Sequence, residues 1–254
     1  MMIEIFMIVF GLAVGSFLNV CIYRLPKGLS ISKPRSRCLK CNHQLKFWEN
    51  VPLLSYIFLR GKCSNCHTRI SLRYPLIEIL TSIIFLLLYS YYGFSINVLL
   101  LCVFFSIVIV ITFIDIDTQL IPNKLLMFGL IPVSIYIILP GLSNIWMHLL
   151  GAIGLGGLIF LFGYIGKLIY KEDSIGMGDV KYAFVIGLLL GWRSGFLAIV
   201  ISFLSAAIII FVLFIQKKLK SRQKIPFGPF MSIGLLIALI WDDKIIDWYL
   251  QFFK

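Results

Sequence analysis

Charged residues are scarce in this sequence, and acidic residues are the scarcest of them. Only 13% of the 254 residues are charged, and Asp and Glu together number 11. Hydrophobic residues make up 60% of the chain, which excludes an ordinary soluble domain and is typical of a polytopic membrane protein. There is also no repeat at the spacing of solenoid proteins and no low-complexity tract.

The apolar stretches predict an all-α polytopic membrane protein with about eight transmembrane helices. Most stretches approach the roughly 20 residues that a helix needs to cross the hydrocarbon core, although the sixth and eighth are short. The first is expected to be a membrane helix rather than a cleaved signal peptide, because it carries Glu4 and no small-x-small cleavage site follows. The predicted spans are 2–23, 75–92, 96–114, 122–140, 145–168, 181–192, 195–216 and 227–241.

Basic residues are concentrated in a few loops, and this distribution predicts the orientation of the helices. Residues 24–74 hold eleven Lys and Arg against one acid, Glu49. With the amino terminus outside, four loops face the cytoplasm and together hold 20 of the 23 basic residues, as the positive-inside rule requires. These four loops are 24–74, 115–124, 167–181 and 217–224.

The net charge of +12 has three interpretations. Basic loops beside membrane helices set topology, and they also attract the anionic headgroups of a lipid bilayer. A nucleic-acid role for the 24–74 loop is a weaker alternative, and we predict the bilayer as partner and no nucleic acid.

Four cysteines in the 24–74 loop form two C-x2-C pairs that are 21 residues apart. Paired knuckles at this spacing deliver four thiolates to a tetrahedral zinc ion. Two disulfides or free thiols are the alternative, and a reducing cytoplasm disfavours disulfides. His43 and His67 lie beside the knuckles, and we expect them outside the ligand set. The predicted ligands of this structural zinc are Cys38, Cys41, Cys63 and Cys66.

The zinc ion is expected to staple the loop, which would otherwise be disordered, because metal binding supplies folding free energy. Three regions are therefore predicted. Residues 1–23 form the first membrane helix, 24–74 form a basic zinc-binding loop on the cytoplasmic side, and 75–254 form a further membrane domain.

Two acidic clusters lie at the ends of very apolar segments, at the same predicted membrane level. Asp115 and Asp117 end the third span, and Asp179 precedes the sixth. Carboxylates beside a bilayer are costly and often functional. They could be solvated acids that cap helix ends, part of a proton or cation pathway in a transporter, or the pair of an aspartic protease.

The local context favours the protease. Gly176 and Gly178 remove side chains around Asp179, which would let an extended peptide approach. Pro122 and Asn123 set a turn just after the first acidic cluster. On an ideal helix Asp115 and Asp117 point about 200° apart, so only one of them should face Asp179.

The residues that carry the chemistry, with several other motifs, resemble those of bacterial type IV prepilin peptidases, which are membrane aspartic proteases of the Gly-x-Gly-Asp class. The resemblance runs nearly from end to end. It rests on Gly15-Ser16-Phe17-Leu18-Asn19-Val20, Arg24-Leu25-Pro26, the two cysteine knuckles, Trp48-Glu49-Asn50-Val51-Pro52, Arg73-Tyr74-Pro75-Leu76-Ile77-Glu78, Asp115-Ile116-Asp117 with Pro122-Asn123, Gly176-Met177-Gly178-Asp179-Val180-Lys181 and Pro226-Phe227-Gly228-Pro229.

The resemblance implies cleavage of the short basic leader of prepilins and pseudopilins, on the cytoplasmic face of the bacterial plasma membrane. It implies Asp115 and Asp179 as the catalytic pair, with Asp117 as the alternative first acid. Gly176, Gly178 and Lys181 are the supporting residues of the motif. It also implies methylation of the new amino terminus from S-adenosylmethionine, an activity for which the sequence shows no cofactor signature.

Overall fold

The computed structural model describes residues 2–141, 144–171, 175–218 and 225–251. Within these residues the regular secondary structure is helical, and the only β-type pairings are two isolated bridges. This confirms the all-α class. The helices are α1 (Met2–Arg24), α2 (Leu54–Phe58), α3 (Arg73–Tyr92), α4 (Ile96–Thr118), α5 (Asn123–Ile138), α6 (Ile145–Tyr170), α7 (Met177–Ile215) and α8 (Gly228–Gln251), with short 3-10 helices at Leu25–Lys27 and Phe47–Asn50.

The chain is a multi-pass membrane protein. Five of the described helices, α1, α3, α4, α6 and α7, are long and apolar enough to cross a membrane, and α5 is a shorter apolar helix. Each predicted span lies on a helix, but the number eight is not confirmed. Two predicted spans share α7, and α8 carries Asp242, Asp243 and Lys244 within its apolar run.

The sixth and seventh predicted spans are one helical run of 39 residues, broken at Gly191. Gly191 has φ 76° and ψ −178°, a conformation that glycine adopts without steric cost. A Cβ placed on Gly195 would lie 3.6 Å from the Cα of Gly187, whereas eight residues of straight helix extend about 12 Å. The chain therefore folds back sharply at Gly191, and α7 has two arms.

The chain divides into two compact units, residues 1–110 and 111–254. In the first unit α1 packs along α3. A Cβ on Gly11 would lie 2.5 Å from the Cα of Ser82, so this position brings the two backbones into contact, as small residues do between membrane helices. The boundaries predicted at residues 23 and 74 stay a prediction.

In the second unit α7 is the central element, and it packs against α5, α6 and α8. Gly151 of α6 and Gly187 of α7 meet backbone to backbone, and Gly234 of α8 meets Ala198 in the same way. These close approaches fix the position of α7 and of the residues that precede it. In the predicted basic loop 217–224, residues 219–224 lie outside the described part of the chain.

Candidate active site and metal centre

Asp115 lies in the last turn of α4 and is almost fully buried, with 4% of its surface exposed. The backbone N–H of Gly228, the first residue of α8, donates to Asp115 Oδ2 at 2.9 Å. A Cβ on Gly228 would lie only 2.7 Å from that oxygen. The absence of a side chain at position 228 is therefore what lets the backbone reach the carboxylate.

Asp179 lies in the first turn of α7 and is half-buried. Its Oδ2 accepts the backbone N–H of Gly176 at 3.2 Å, a contact that holds a carboxylate over the N-terminus of its own helix. Ser232 Oγ contacts Thr112 Oγ1 of α4 and the Tyr182 hydroxyl of α7, and each of these residues lies about one helical turn from the aspartate of its own helix. The fold thus brings together the two helix ends that carry Asp115 and Asp179, 64 residues apart in the sequence.

Asp117 differs from Asp115 in its surroundings. It is exposed, whereas Asp115 is buried. This agrees with the expectation that two positions separated by about 200° on a helix cannot both face the same partner.

Gly178 and Lys181 connect the start of α7 to the segment between α4 and α5. A Cβ on Gly178 would lie 2.9 Å from the Cβ of Ile121. The space that we expected to admit a peptide is thus occupied by Ile121 of this chain. Lys181 Nζ donates to Asn123 Oδ1 at 2.9 Å, where α5 begins after Pro122.

A buried hydroxyl network lies beside Asp115, and sequence reasoning did not predict it. Ser232 Oγ lies 2.8 Å from the Tyr182 hydroxyl and 2.7 Å from Thr112 Oγ1. The same Ser232 hydroxyl donates to the carbonyl of Gly228 at 2.9 Å. Ser232 therefore ties α4, α7 and α8 together, and it also contacts Gly228, the residue that binds Asp115. The Phe-Gly-Pro sequence at 227–229 was the only available signal, and it indicates no partner.

The four predicted zinc ligands converge in the first unit. All four sulfur atoms lie within 4.8 Å of one another. Cys38 Sγ is 3.8 Å from Cys66 Sγ, and Cys41 Sγ is 3.9 Å from Cys63 Sγ. A tetrahedron with zinc–sulfur bonds of about 2.3 Å has edges of about 3.8 Å, so the donor set fits a tetrahedral metal.

Each cysteine pair is held by a turn of the same form. In the first, Cys38 N–H donates to His43 O at 2.9 Å, and in the second, Cys63 N–H donates to Thr68 O at 2.9 Å. Hydrogen bonds with Thr68 lower the pKa of the Cys66 thiol to about 6, which favours the thiolate that a metal binds.

Glu49 joins the two turns. Its Oε2 accepts the N–H of Lys46 at 2.7 Å and lies 3.2 Å from His43 Nε2. The hydrogen bonds from the Lys46 backbone, the Ser64 side chain and His43 keep the pKa of the Glu49 carboxyl below its usual value. His43 closes the first cysteine turn and Ser64 lies in the second, so the Glu49 carboxylate contacts both turns. His43 thus contacts Glu49, as expected of a residue outside the ligand set.

Known proteins match the chain over nearly its whole length. Residues 9–92 match the Bacterial Peptidase A24 N-terminal domain, and residues 102–211 match the Type IV leader peptidase family. The prepilin leader peptidase/N-methyltransferase of Legionella pneumophila is 35% identical, over 96% of this chain and 93% of that protein. The chain belongs to the type IV leader peptidase family.

Two other relatives have the same name, prepilin leader peptidase/N-methyltransferase. The proteins of Stutzerimonas stutzeri and Bacillus subtilis are each 34% identical over 96% of this chain, and the matches cover 93% and 96% of those proteins. No solved structure matches. The resemblance predicted from the sequence motifs is confirmed. The cysteine cluster lies in the first matched region, and both aspartates lie in the second.

Proposed function

We propose that this leader peptidase uses Asp115 and Asp179 as an aspartic catalytic pair that cleaves the leader of prepilins and pseudopilins. The observation that supports the proposal is that the end of α4, with Asp115, and the start of α7, with Asp179, are joined through the Ser232 hydroxyl. Both positions are helix ends, where the apolar helices meet the loops of the chain.

Two neighbouring carboxylates divide the work of peptide hydrolysis. Because both cannot ionise cheaply side by side, they share one proton. The ionised carboxylate removes a proton from water, which attacks the scissile carbonyl carbon, while the neutral carboxyl donates its proton to the carbonyl oxygen. The carboxyl that gained the water proton then gives it to the leaving nitrogen, while the other carboxylate takes a proton from a hydroxyl of the tetrahedral intermediate. The C–N bond breaks, and the pair again shares one proton.

The surroundings of the pair support Asp115 as the first acid. Asp115 is buried and its carboxylate is fixed by Gly228, whereas Asp117 is exposed on the same helix end. A positioned carboxylate retains its orientation through the reaction, which supports Asp115 over Asp117. Gly176 orients Asp179 in the same way, and Lys181 with Gly178 supports the neighbouring turn.

The cytoplasmic face of the bacterial plasma membrane is the proposed side of cleavage. The support is the distribution of basic residues among loops, because positive loops remain in the cytoplasm. The aspartates adjoin loops of that set. Zinc is the proposed metal of the four cysteines, with a structural role, because four thiolates leave no open coordination position for a reacting water.

Methylation of the new amino terminus from S-adenosylmethionine is a second proposed activity, and it rests on the names of the relatives. A groove of about 740 Å³ between α5, α6 and α7 is lined chiefly by apolar side chains. Its polar lining residues Asn123 and Lys181 bond to each other, and no residue is assigned to the methyl donor.

The function is tested by incubating the detergent-solubilised protein with a prepilin and measuring its mass. The expected result is loss of the leader mass, and a further gain of one methyl group when S-adenosylmethionine is added. Asp115→Asn and Asp179→Asn should each slow cleavage by about 10³-fold or more, since each removes a proton-transfer group.

Asp117→Asn is the matched control, because it makes the same change two residues away, and it should cleave at nearly the normal rate. Cleavage by an Asp115→Asn, Asp179→Asn double variant would overturn the pair. Ion flux in proteoliposomes without peptide cleavage would favour a transporter instead.

A further inference from the structure

We call residues 24–74 the cysteine loop. Part of this loop presents large apolar side chains on its surface. We call residues 47–58 the aromatic segment. It contains the 3-10 helix Phe47–Asn50 and helix α2, which contact each other. Phe47 is 87% exposed and Phe58 is 81% exposed. The other exposed apolar side chains of the segment are Trp48, Leu54 and Ile57.

A buried carboxylate fixes the level of this segment along α3. Leu53, in the middle of the segment, donates its backbone N–H to Glu78 Oε2 at 2.8 Å. Glu78 is buried and is the sixth residue of α3, so it lies about 7.5 Å from the first residue along the helix axis. The 20 residues of α3 extend about 30 Å, which is the thickness of the hydrocarbon core. Leu53 is therefore level with the end of the α3 span that adjoins the cysteine loop.

The start of α3 lies beside the last turns of α1, which extends about 7.5 Å farther. Asn19, five residues before the end of α1, donates from Nδ2 to the carbonyl of Tyr74 at 3.2 Å. The loop thus leaves the membrane at Arg24 and returns at Arg73, two basic residues of a kind that anchors helices at the headgroup level. Both helix ends, with Leu53 between them in sequence, belong to the interfacial layer.

The positive charge of the loop suits the surface of a bilayer that contains anionic lipid. Residues 24–74 carry eleven Lys and Arg and the single acid Glu49, which is buried and hydrogen-bonded within the loop. Lys46 Nζ lies 5.4 Å from the centre of the Trp48 ring. Exposed aromatic rings with adjacent basic side chains are typical of segments that lie in the interface of a membrane with anionic lipids.

We propose that the aromatic segment lies in the boundary between the headgroups and the acyl chains of the bilayer, held there by the Glu78–Leu53 hydrogen bond. The occupant of this apolar surface is lipid, and anionic lipid interacts with the surrounding basic residues. Glu78 is then a positioning residue, which fixes how deeply the cysteine loop is seated. The proposal depends on the membrane-spanning helices and is independent of the catalytic pair.

Trp48 provides the main test. A single-tryptophan protein that keeps Trp48, with the other four tryptophans changed to Phe, is placed in vesicles of phosphatidylglycerol and brominated phosphatidylcholine. The expected result is loss of Trp48 emission, greater with bromines near the headgroup than with bromines near the chain ends. Emission that is unchanged by bromines at either depth would overturn the proposal, since Trp48 would then lie in water or against protein.

A second measurement uses the otherwise unchanged full-length chain. A photoreactive phenylalanine analogue replaces Phe58 in one variant and Leu39, an exposed residue of the first knuckle, in a control. Irradiation in the same vesicles should add the mass of a phospholipid at position 58 and not at position 39. Equal lipid labelling at both positions, or crosslinking of position 58 only to protein or to a second copy of the chain, would contradict the proposal.

The role of Glu78 is tested in the single-tryptophan protein. Glu78→Leu removes the acceptor for the Leu53 N–H, and quenching of Trp48 should become weaker and shift toward water-soluble quenchers. Glu78→Gln retains a carbonyl oxygen as acceptor and should leave the quenching depth unchanged. Identical depths in all three proteins would show that Glu78 does not position the segment.

Discussion

The four cysteines of the cluster, which we call the cysteine module, lie in two turns of six residues, and a backbone hydrogen bond closes each turn. The aspartate site instead joins residues that are 64 and 113 positions apart in the sequence. The turns contain Cys38 and Cys63, whose N–H groups bond His43 and Thr68. At the other site Asp115 depends on Gly228 of α8 and lies beside Asp179 of α7. Local sequence shapes the first site, and helix packing shapes the second.

This difference determines what each site needs in order to persist. Glu49 joins the two cysteine turns, and the proposed metal would add a second link through the four sulfur atoms. The aspartates require no added group, because α7 is fixed by backbone contacts with α6 and α8 at Gly187 and Ala198. Loss of metal and loss of packing should therefore damage different parts of the molecule.

The largest effect is expected from loss of a metal ligand. Structural zinc contributes on the order of 10 kcal/mol to the folding of small metal domains. Cys38→Ser should therefore loosen residues 24–74 and lower the yield more than it changes the chemistry of cleavage. The measurements are the zinc content of the pure protein and its digestion by trypsin, for which the loop offers eleven basic residues.

Cys102→Ser is the control for the metal site, because Cys102 is buried in α4, outside the cluster. It should keep its zinc and its resistance to trypsin. A full complement of zinc in Cys38→Ser, or pure native protein without metal, would remove the proposed centre and with it the contrast between the two sites.

An intermediate effect is expected when helix packing at the aspartates is disturbed. Gly228→Ala places a methyl group 2.7 Å from Asp115 Oδ2, so either α8 or the carboxylate must move. A displacement of about 1 Å at a catalytic group can reduce the rate by about 100-fold. Cleavage of a prepilin should fall by that order, with the zinc content and trypsin resistance of the cysteine loop unchanged.

Gly157→Ala is the matched control. Gly157 lies on α6, and no atom would meet a Cβ there within 4 Å. The substitution should leave cleavage nearly normal. Equal loss in both variants would show that the site does not depend on the close approach of Gly228 to Asp115.

Sequence reasoning predicted that the four cysteines cluster, because C-x2-C spacing brings the sulfurs of each pair together and a tetrahedral metal requires both pairs. It did not predict that Glu49 links the two turns. Hydrophobic runs and basic loops placed Asp115 and Asp179 at one membrane level, which stays a prediction. The order of residues could not indicate Gly228 as the partner of Asp115, because that contact depends on how α8 packs. For the same reason Gly178 was interpreted as space for substrate, whereas Ile121 fills it.

The sequence predicted two spans where the structure has one helical run, α7, that is broken at Gly191. Hydropathy alone separates the sixth and seventh spans only weakly, since Arg193 is the single charge between them. The separation depends on the backbone at Gly191, whose positive φ turns the helix back on itself. Most glycines in apolar helices keep helical angles, so composition alone could not predict the positive φ of Gly191.

The smallest effect is expected within the hydroxyl network. Tyr182→Phe keeps the ring of a fully buried side chain, and Ser232 retains Thr112 and the Gly228 carbonyl as partners. Removal of one hydrogen bond between membrane helices costs about 1 kcal/mol. The variant should lose a few degrees in thermal unfolding in detergent and cleave a few-fold more slowly. Ser232→Ala should cost more, because it removes the contacts to both Tyr182 and Thr112. A smaller cost than that of Tyr182→Phe would show that Ser232 does not connect the helices.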